Sequence, residues 1–250
     1  MKITIIQSDL VWEDKVANLA RFDTHINNIQ ESTDIVVLPE MFSTGFSMNT
    51  AALAESMDGK TIQWMSNHAQ TLDAVVTGSL IIKENGQFYN RLIWMKPDGT
   101  FEQYDKRHLF GMGSGEDKHY TAGTERLIVT YKGWKICPLI CYDLRFPVWS
   151  RNTVDYDVLI YTANWPEPRS FHWKTLLVAR AIENQSYVIG VNRVGVDALG
   201  SLHSGDSCVI NPYGTVEFTQ AYQEMVFTTT LSKLYLDTTR KKLPFLQDRD

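Results

Sequence analysis

Cysteine is scarce: only Cys137, Cys141 and Cys208 occur in 250 residues. Three thiols do not make a disulfide framework, and a reducing, cytoplasmic setting suits them. Cys137 and Cys141 are spaced C-x-x-x-C, not the C-x-x-C of redox motifs, so a redox pair is disfavoured; it would show as a reversible disulfide. No Cys/His group has zinc spacing, and no metal or cofactor is expected. Positive charge is also short. Lys and Arg total 24 against 29 Asp and Glu, a net charge of -5, and the one basic block is Arg240-Lys241-Lys242. Nucleic-acid partners need a basic face, so none is expected, and that block reads as solvated surface. Long apolar runs are missing as well. Nothing approaches a membrane-spanning length, and the opening MKITIIQSDL turns polar by Gln7, too soon for a signal peptide. There is no Pro/Gly/Ser-rich linker and no tandem repeat. Residues 1–250 therefore read as one domain, with a polar tail from about 232 anchored around Leu234–Leu236 and Leu243–Phe245.

What is present is a mixed α/β pattern. Lys2–Gln7 reads as a strand, Val16, Leu19, Phe22, Ile26 and Ile29 follow at helical spacing, and Asp34–Leu38 is a buried strand. Ile62, Met65, Ala69 and Leu72 suggest a second helix. Ala74–Ile82 and Phe88–Met95 read as strands joined by the hairpin signal Glu84-Asn85-Gly86, with another turn at Pro97-Asp98-Gly99. Residues 107–125 have no period, and a loop of that length in a compact domain is usually functional or disordered. Leu127–Thr130, Lys135–Cys141, Val158–Thr162, Tyr187–Val191, Ser207–Ile210 and Met225–Thr230 complete the strands, with a strong helix over Trp173–Asn184. Two sheets packed face to face with helices outside accommodate this count.

Three strand ends each deliver one reactive side chain: Glu40 after Val36-Val37-Leu38-Pro39, Lys106 after Tyr104-Asp105, and Cys141 after Ile136–Ile140. Ligands in α/β sheets gather at such ends. Taken singly each residue has an ordinary reading: Cys141 as a small buried hydrophobe, Glu40 and Lys106 as surface groups. Together they make a different set. A carboxylate can take a thiol proton. An ammonium favours the thiolate and holds a developing oxyanion. The backbone N–H of Tyr142, just past the thiol, is the second oxyanion donor in that arrangement. Cys137 and Cys208 have nothing reactive beside them in the sequence and keep the core reading.

In combination the chain resembles the nitrilase superfamily, the carbon–nitrogen hydrolases. "DIVVLPEMFSTGF" resembles the segment of that family's catalytic glutamate, "YDKRHLF" its lysine segment and "PLICYDLRFP" its nucleophile segment. The order Glu, Lys, Cys and the spacings of 66 (40 to 106) and 35 (106 to 141) fit, as do "ANWP" at 163–166 and "ARAIENQ" at 179–185. The resemblance implies a second glutamate before an Ala-Gly step. In "GEDKHYTAG" this is Glu116, with Asp117 as competitor, positioning Lys106 and the substrate amide. It also implies a four-layer α-β-β-α sandwich and a homodimer packed sandwich on sandwich, with Arg180 and Glu183 in structural roles near that interface. The implied reaction is amide hydrolysis through a thioester on Cys141.

"CYDLRFP" with "ANWP" looks most like the ω-amidase branch, which acts on the terminal amide of 2-oxoglutaramate or 2-oxosuccinamate. A fixed cation suits the far carboxylate of such a substrate. Arg145 is the candidate, or else an ion-pair partner supporting its own loop. Trp165 and Phe42 either wall the pocket or pack in the core. The rivals are the same residues acting on an N-carbamoyl amino acid or a nitrile, and a non-catalytic protein of this fold.

Overall fold

In the computed structural model, which describes residues 1–249, the isoleucine-rich start forms β1 (Lys2–Gln7). Helix Lys15–Asn27 follows, its first turn capped by the Asp14 carboxylate, which accepts from the Ala17 N–H at 2.9 Å. Its buried stripe is Asn18, Phe22 and Ile26, so Val16 faces solvent instead of the core. Asn18 is buried because its amide side chain satisfies the backbone of Val11 and Ser43. β2 (Ile35–Val37) and β3 (Val75–Glu84) extend the sheet in parallel, with helix Lys60–Leu72 between them. Strands covered on both faces have no polar side to show, which explains the unbroken apolar runs. β4 (Gln87–Met95) and β5 (Phe101–Asp105) then add antiparallel. Asn85 and Gly86 take φ of +50° and +79°, the pair of positive values a tight hairpin turn requires.

The second half repeats the plan. β6 (Val129–Tyr131) and β7 (Trp134–Ile140) form a hairpin, and β8 (Val158–Thr162), helix Ser170–Asn184 and β9 (Tyr187–Val191) continue in parallel. β10 (Val194–Val196), β11 (Leu202–Ile210) and β12 (Val216–Ala221) are antiparallel additions, and β13 (Met225–Thr230) returns to the first sheet. Of β10 to β12 the pattern of apolar residues predicts only Ser207–Ile210. β10 is three residues long with Gly195 at φ +88°, and β12 is largely solvent-facing, so neither shows the expected alternation.

One sheet has the order β13-β1-β2-β3-β4-β5 and the other β10-β11-β9-β8-β7-β6, with β12 beside β11. Between the sheets lies an apolar layer in which Ile3, Ile5, Val37 and Trp94 meet Ile136, Ile160, Ile189 and Val209. A second layer puts Phe22, Ile26, Ile62 and Met65 of two helices on the outer face of the first sheet. A third puts Trp173, Leu177 and Ala181 on the outer face of the second. The result is the expected α-β-β-α sandwich.

The tail departs from expectation. Residues Lys233–Lys242 are a helix, not a polar extension, with Ser232 accepting from the Tyr235 N–H at 3.2 Å. Leu236 is its buried anchor, whereas Leu234 and Phe245 are exposed. Arg240 fixes it to the body through Gln185 O at 2.9 Å and Asp157 Oδ1 at 3.1 Å. Its dense charge hid the short apolar stripe. No helix among the described residues is long and apolar enough to cross a membrane.

Candidate active site

Three loops leaving the strand ends converge on one buried cluster. Glu40 lies just past β2, Lys106 follows β5 directly, and Cys141 follows β7. Glu40, Lys106 and Glu116 are essentially without solvent exposure. Lys106 Nζ donates to Glu40 Oε1 at 2.8 Å and to both oxygens of Glu116, at 3.0 and 2.9 Å. Asn90, in the middle of β4, bridges the two carboxylates, its Nδ2 donating to Glu40 Oε1 at 2.8 Å and to Glu116 Oε1 at 3.2 Å. The remaining oxygen of Glu40 accepts the Asn164 N–H at 2.8 Å. Glu116 also accepts from the Phe110 N–H at 2.6 Å. The short helix Glu116–His119 turns Glu116 inward and leaves Asp117 exposed. The segment after it must press on the lysine strand: a Cβ on Gly123 would sit 2.1 Å from the Asp105 carbonyl oxygen, so only glycine fits.

Both loops bearing the reactive groups bend through left-handed backbone. Met41 has φ +44° and Cys141 φ +43°, uncommon values for residues with side chains of this size. At Cys141 the bend ends the strand and starts the 3-10 turn Cys141–Arg145. The turn is held by Asp143, fully buried, whose carboxylate accepts from Tyr104 Oη at 2.8 Å, the Ile140 N–H at 3.1 Å, and the His108 N–H and Nδ1 at 3.0 and 2.8 Å. Arg180, reaching from the outer helix, donates to the Leu144 carbonyl at 2.7 Å. Tyr142 is in the first turn, where N–H groups have no intrahelical acceptor.

Burial alone would favour a neutral Lys106, but the carboxylates of Glu116 and Glu40 outweigh it and hold the ammonium's pKa above its ordinary value. Burial raises the Glu116 carboxyl, with Lys106 pulling back and Glu40 adding to the rise. Burial also drives the Cys141 thiol well up, helped by the negative charge of Glu40 and opposed by Lys106. The ammonium's charge is thus shared between two carboxylates, and burial disfavours ionisation of the thiol. It needs a base before it can attack. Cys137 and Cys208 are raised to about 12, chiefly by burial, and all three cysteines are free.

Cys141 opens into a cavity of about 300 Å³, with Lys106 at its floor and Phe46, Tyr142, Trp165 and His203 among its walls. Arg145 lines it too, its guanidinium 4.7 Å from the Trp165 ring centre. Phe42 does not. It is fully buried against Phe22 and Trp64, with ring centres 5.4 and 5.7 Å apart, and is a core residue. Phe46 takes the place expected of it, 5.1 Å from Lys106 Nζ. Sequence reasoning passed over Asn90, Asp143, Arg169 and His203 as well. Asn90 and Asp143 carried one usable signal: each is a short polar residue at a strand interior or strand end. Among the described residues no group of three His, Cys, Asp or Glu side chains is placed to hold a metal.

Comparison with known proteins identifies the family. A family model described as carbon–nitrogen hydrolase matches residues 2–241. The chain is 49% identical over 251 residues to the omega-amidase YafV of Escherichia coli K12, covering 100% of this chain and 97% of that one. It is 32% identical over 252 residues to the 2-oxoglutaramate amidase of Bacillus subtilis, covering 98% and 96%. The crystal structure of XC1258 from Xanthomonas campestris, a CN-hydrolase superfamily protein with an arsenic adduct in its active site, superposes with a TM-score of 0.96. It is 43% identical and covers 100% of this chain and 97% of that one.

Proposed function

The chain belongs to the carbon–nitrogen hydrolase family, and from that premise we propose that it is an ω-amidase. It hydrolyses the terminal amide of a small dicarboxylate monoamide, 2-oxoglutaramate or 2-oxosuccinamate, to the acid and ammonia. The observation that carries this reading is the lysine clasped by two buried carboxylates at the floor of the cavity that Cys141 enters.

Glu40 takes the proton of the Cys141 thiol as sulfur attacks the amide carbonyl. The developing oxyanion is held by the Lys106 ammonium and the Tyr142 N–H. Glu40 then passes its proton to the leaving nitrogen, ammonia departs, and a thioester remains on Cys141. Water, giving a proton to Glu40, attacks the thioester; the acid leaves and the thiol is restored. Glu116 keeps Lys106 charged and in place throughout. A cluster that is prearranged has little to reorganise when the charge moves.

The cavity is at the small end of the range for ligand pockets, which fits a short substrate. Arg145 supplies the fixed cation for its far carboxylate, and Trp165 is the flat wall beside it. The names of the E. coli and B. subtilis relatives support the same substrate class. The deciding experiment is ammonia release from 2-oxoglutaramate, with glutamine as control and an N-carbamoyl amino acid and a nitrile alongside. Turnover of 2-oxoglutaramate well above the others is expected. A preference for the carbamoyl compound or the nitrile would replace the ω-amidase reading, and no turnover of any of them would remove it.

A further inference from the structure

The chain has eleven arginines. Nine donate to a carboxylate or a backbone carbonyl. Among the described residues, Arg145 and Arg169 are the two that do neither, and both line the cavity above Cys141. Arg145 meets a ring nitrogen, His172 Nδ1, at 3.2 Å. The Arg169 guanidinium rests over the Phe110 ring, 5.4 Å from its centre, just as Arg145 rests over Trp165. Trp165 links the two, because its indole N–H donates to the Arg169 carbonyl at 2.8 Å. An aromatic face orients a guanidinium without occupying its in-plane N–H groups, so apart from the Arg145 contact with His172 both guanidiniums keep N–H groups free to donate.

Such a pair repels itself until an anion arrives. Burial and, behind it, the charge of Arg169 pull the Arg145 pKa below its ordinary value. The carboxylate lining the cavity, Asp197, does not answer that charge. Its Oδ1 is taken by the N–H groups of Leu199 and Ser201 at 2.9 and 2.8 Å.

We propose that Arg169 is the second arm of a clamp which, with Arg145, grips the carboxylate and the adjacent oxo oxygen of a 2-oxo acid. This deepens the ω-amidase reading and rests on it. A 2-oxo acid presents three acceptor oxygens side by side, enough for two forks. A 2-amino acid puts an ammonium where the oxo group would be, a third positive charge against two fixed ones. The clamp therefore selects the oxo acid over the amino acid at the end of the substrate remote from the chemistry.

The test separates binding from turnover. Calorimetric titration of the uncleaving Cys141→Ala protein with 2-oxoglutaramate, glutaramate and glutamine is compared with the same protein also carrying Arg169→Gln or Arg169→Lys. Arg169→Gln is expected to weaken 2-oxoglutaramate on the order of tenfold or more, glutaramate less and glutamine least, with Arg169→Lys recovering part of the loss. Equal weakening of all three ligands, or none, would overturn the clamp. Turnover by the wild-type protein reports separately on the ω-amidase reading. If it fails on 2-oxoglutaramate while Arg169 still governs the binding order, the clamp stands and the reaction assigned to it falls. If it succeeds while Arg169→Gln binds like its parent, the clamp falls alone.

Discussion

The floor and the mouth of the cavity are built on opposite electrostatic plans. At the floor Lys106, Glu40 and Glu116 are buried, paired and bridged by Asn90. At the mouth Arg145 and Arg169 are half-buried, set on aromatic rings and unmatched by any carboxylate among the described residues. Desolvating three ionised groups is costly, and the floor offsets that with short hydrogen bonds on nearly every polar atom. The mouth leaves its charge unbalanced, so an incoming anion gains most there. The difference shows how one pocket separates two tasks. Charge that must be ready for the reaction is neutralised internally; charge meant for recognition is left unanswered.

The contrast can be broken at its chemical centre first. Cys141→Ala should abolish ammonia release while the thermal melt stays near that of the wild type, because a buried thiol loses little volume as a methyl. Measurable turnover by this variant would place the nucleophile elsewhere. Breaking the pairing at the floor comes next. Lys106→Met leaves two carboxylates buried without their cation and should cost about 3–5 kcal/mol in urea denaturation. It should also lower kcat on the order of a hundredfold or more through loss of the oxyanion cation. Wild-type stability in this variant would mean that the floor is not held together by charge.

The smallest effect concerns His203, in the wall near the mouth. Burial and then the charge of Arg193 lower its pKa from 6.5 to about 4. As pH falls from 6.5 the unfolded chain binds a proton there and the folded one does not, so stability is lost between about 6.5 and about 4. The loss is on the order of 1–3 kcal/mol for a shift of this kind. His203→Asn should flatten that part of the stability–pH curve. An unchanged slope would show that the ring protonates freely in the folded protein.

How far the site could be read from sequence followed from where each residue sits. Glu40, Lys106 and Cys141 end apolar strands, and a reactive group at such a point stands out. Asn90 is flanked by Tyr89 and Arg91, and its one local mark, a short polar side chain inside a strand, does not say what it faces; only the fold brings it against Glu40, 50 positions away. Phe42 and Phe46 lie in one short stretch, and periodicity cannot sort them. Left-handed backbone at Met41, just before Phe42, and at Gly45, just before Phe46, turns the chain ahead of each ring, with φ of +44° and +74°. One ring then faces the core and the other Lys106. Arg169 sits in the short 3-10 segment Glu167–Arg169, where no repeat predicts which way a side chain points. The layered fold was legible because buried strands and helices carry periods. The tail helix was missed because Leu236 and Thr239 are its only buried side chains.

β1 and β13 pair along their whole length, Lys2 opposite Thr230 and Gln7 opposite Met225, and the Met1 amino group donates to the Leu231 carbonyl at 3.1 Å. β1 is thus made well before the strand that borders it, more than 200 residues further along the chain. At ordinary elongation rates that interval is on the order of ten seconds or more. Throughout it β1 can pair with β2 while the backbone edge that β13 will take stays open. The sheet that carries Glu40 and Lys106 is completed only when β13 has been made. For this chain the exposure of that edge is therefore set by translation, and slowing the ribosome between β1 and β13 would lengthen it.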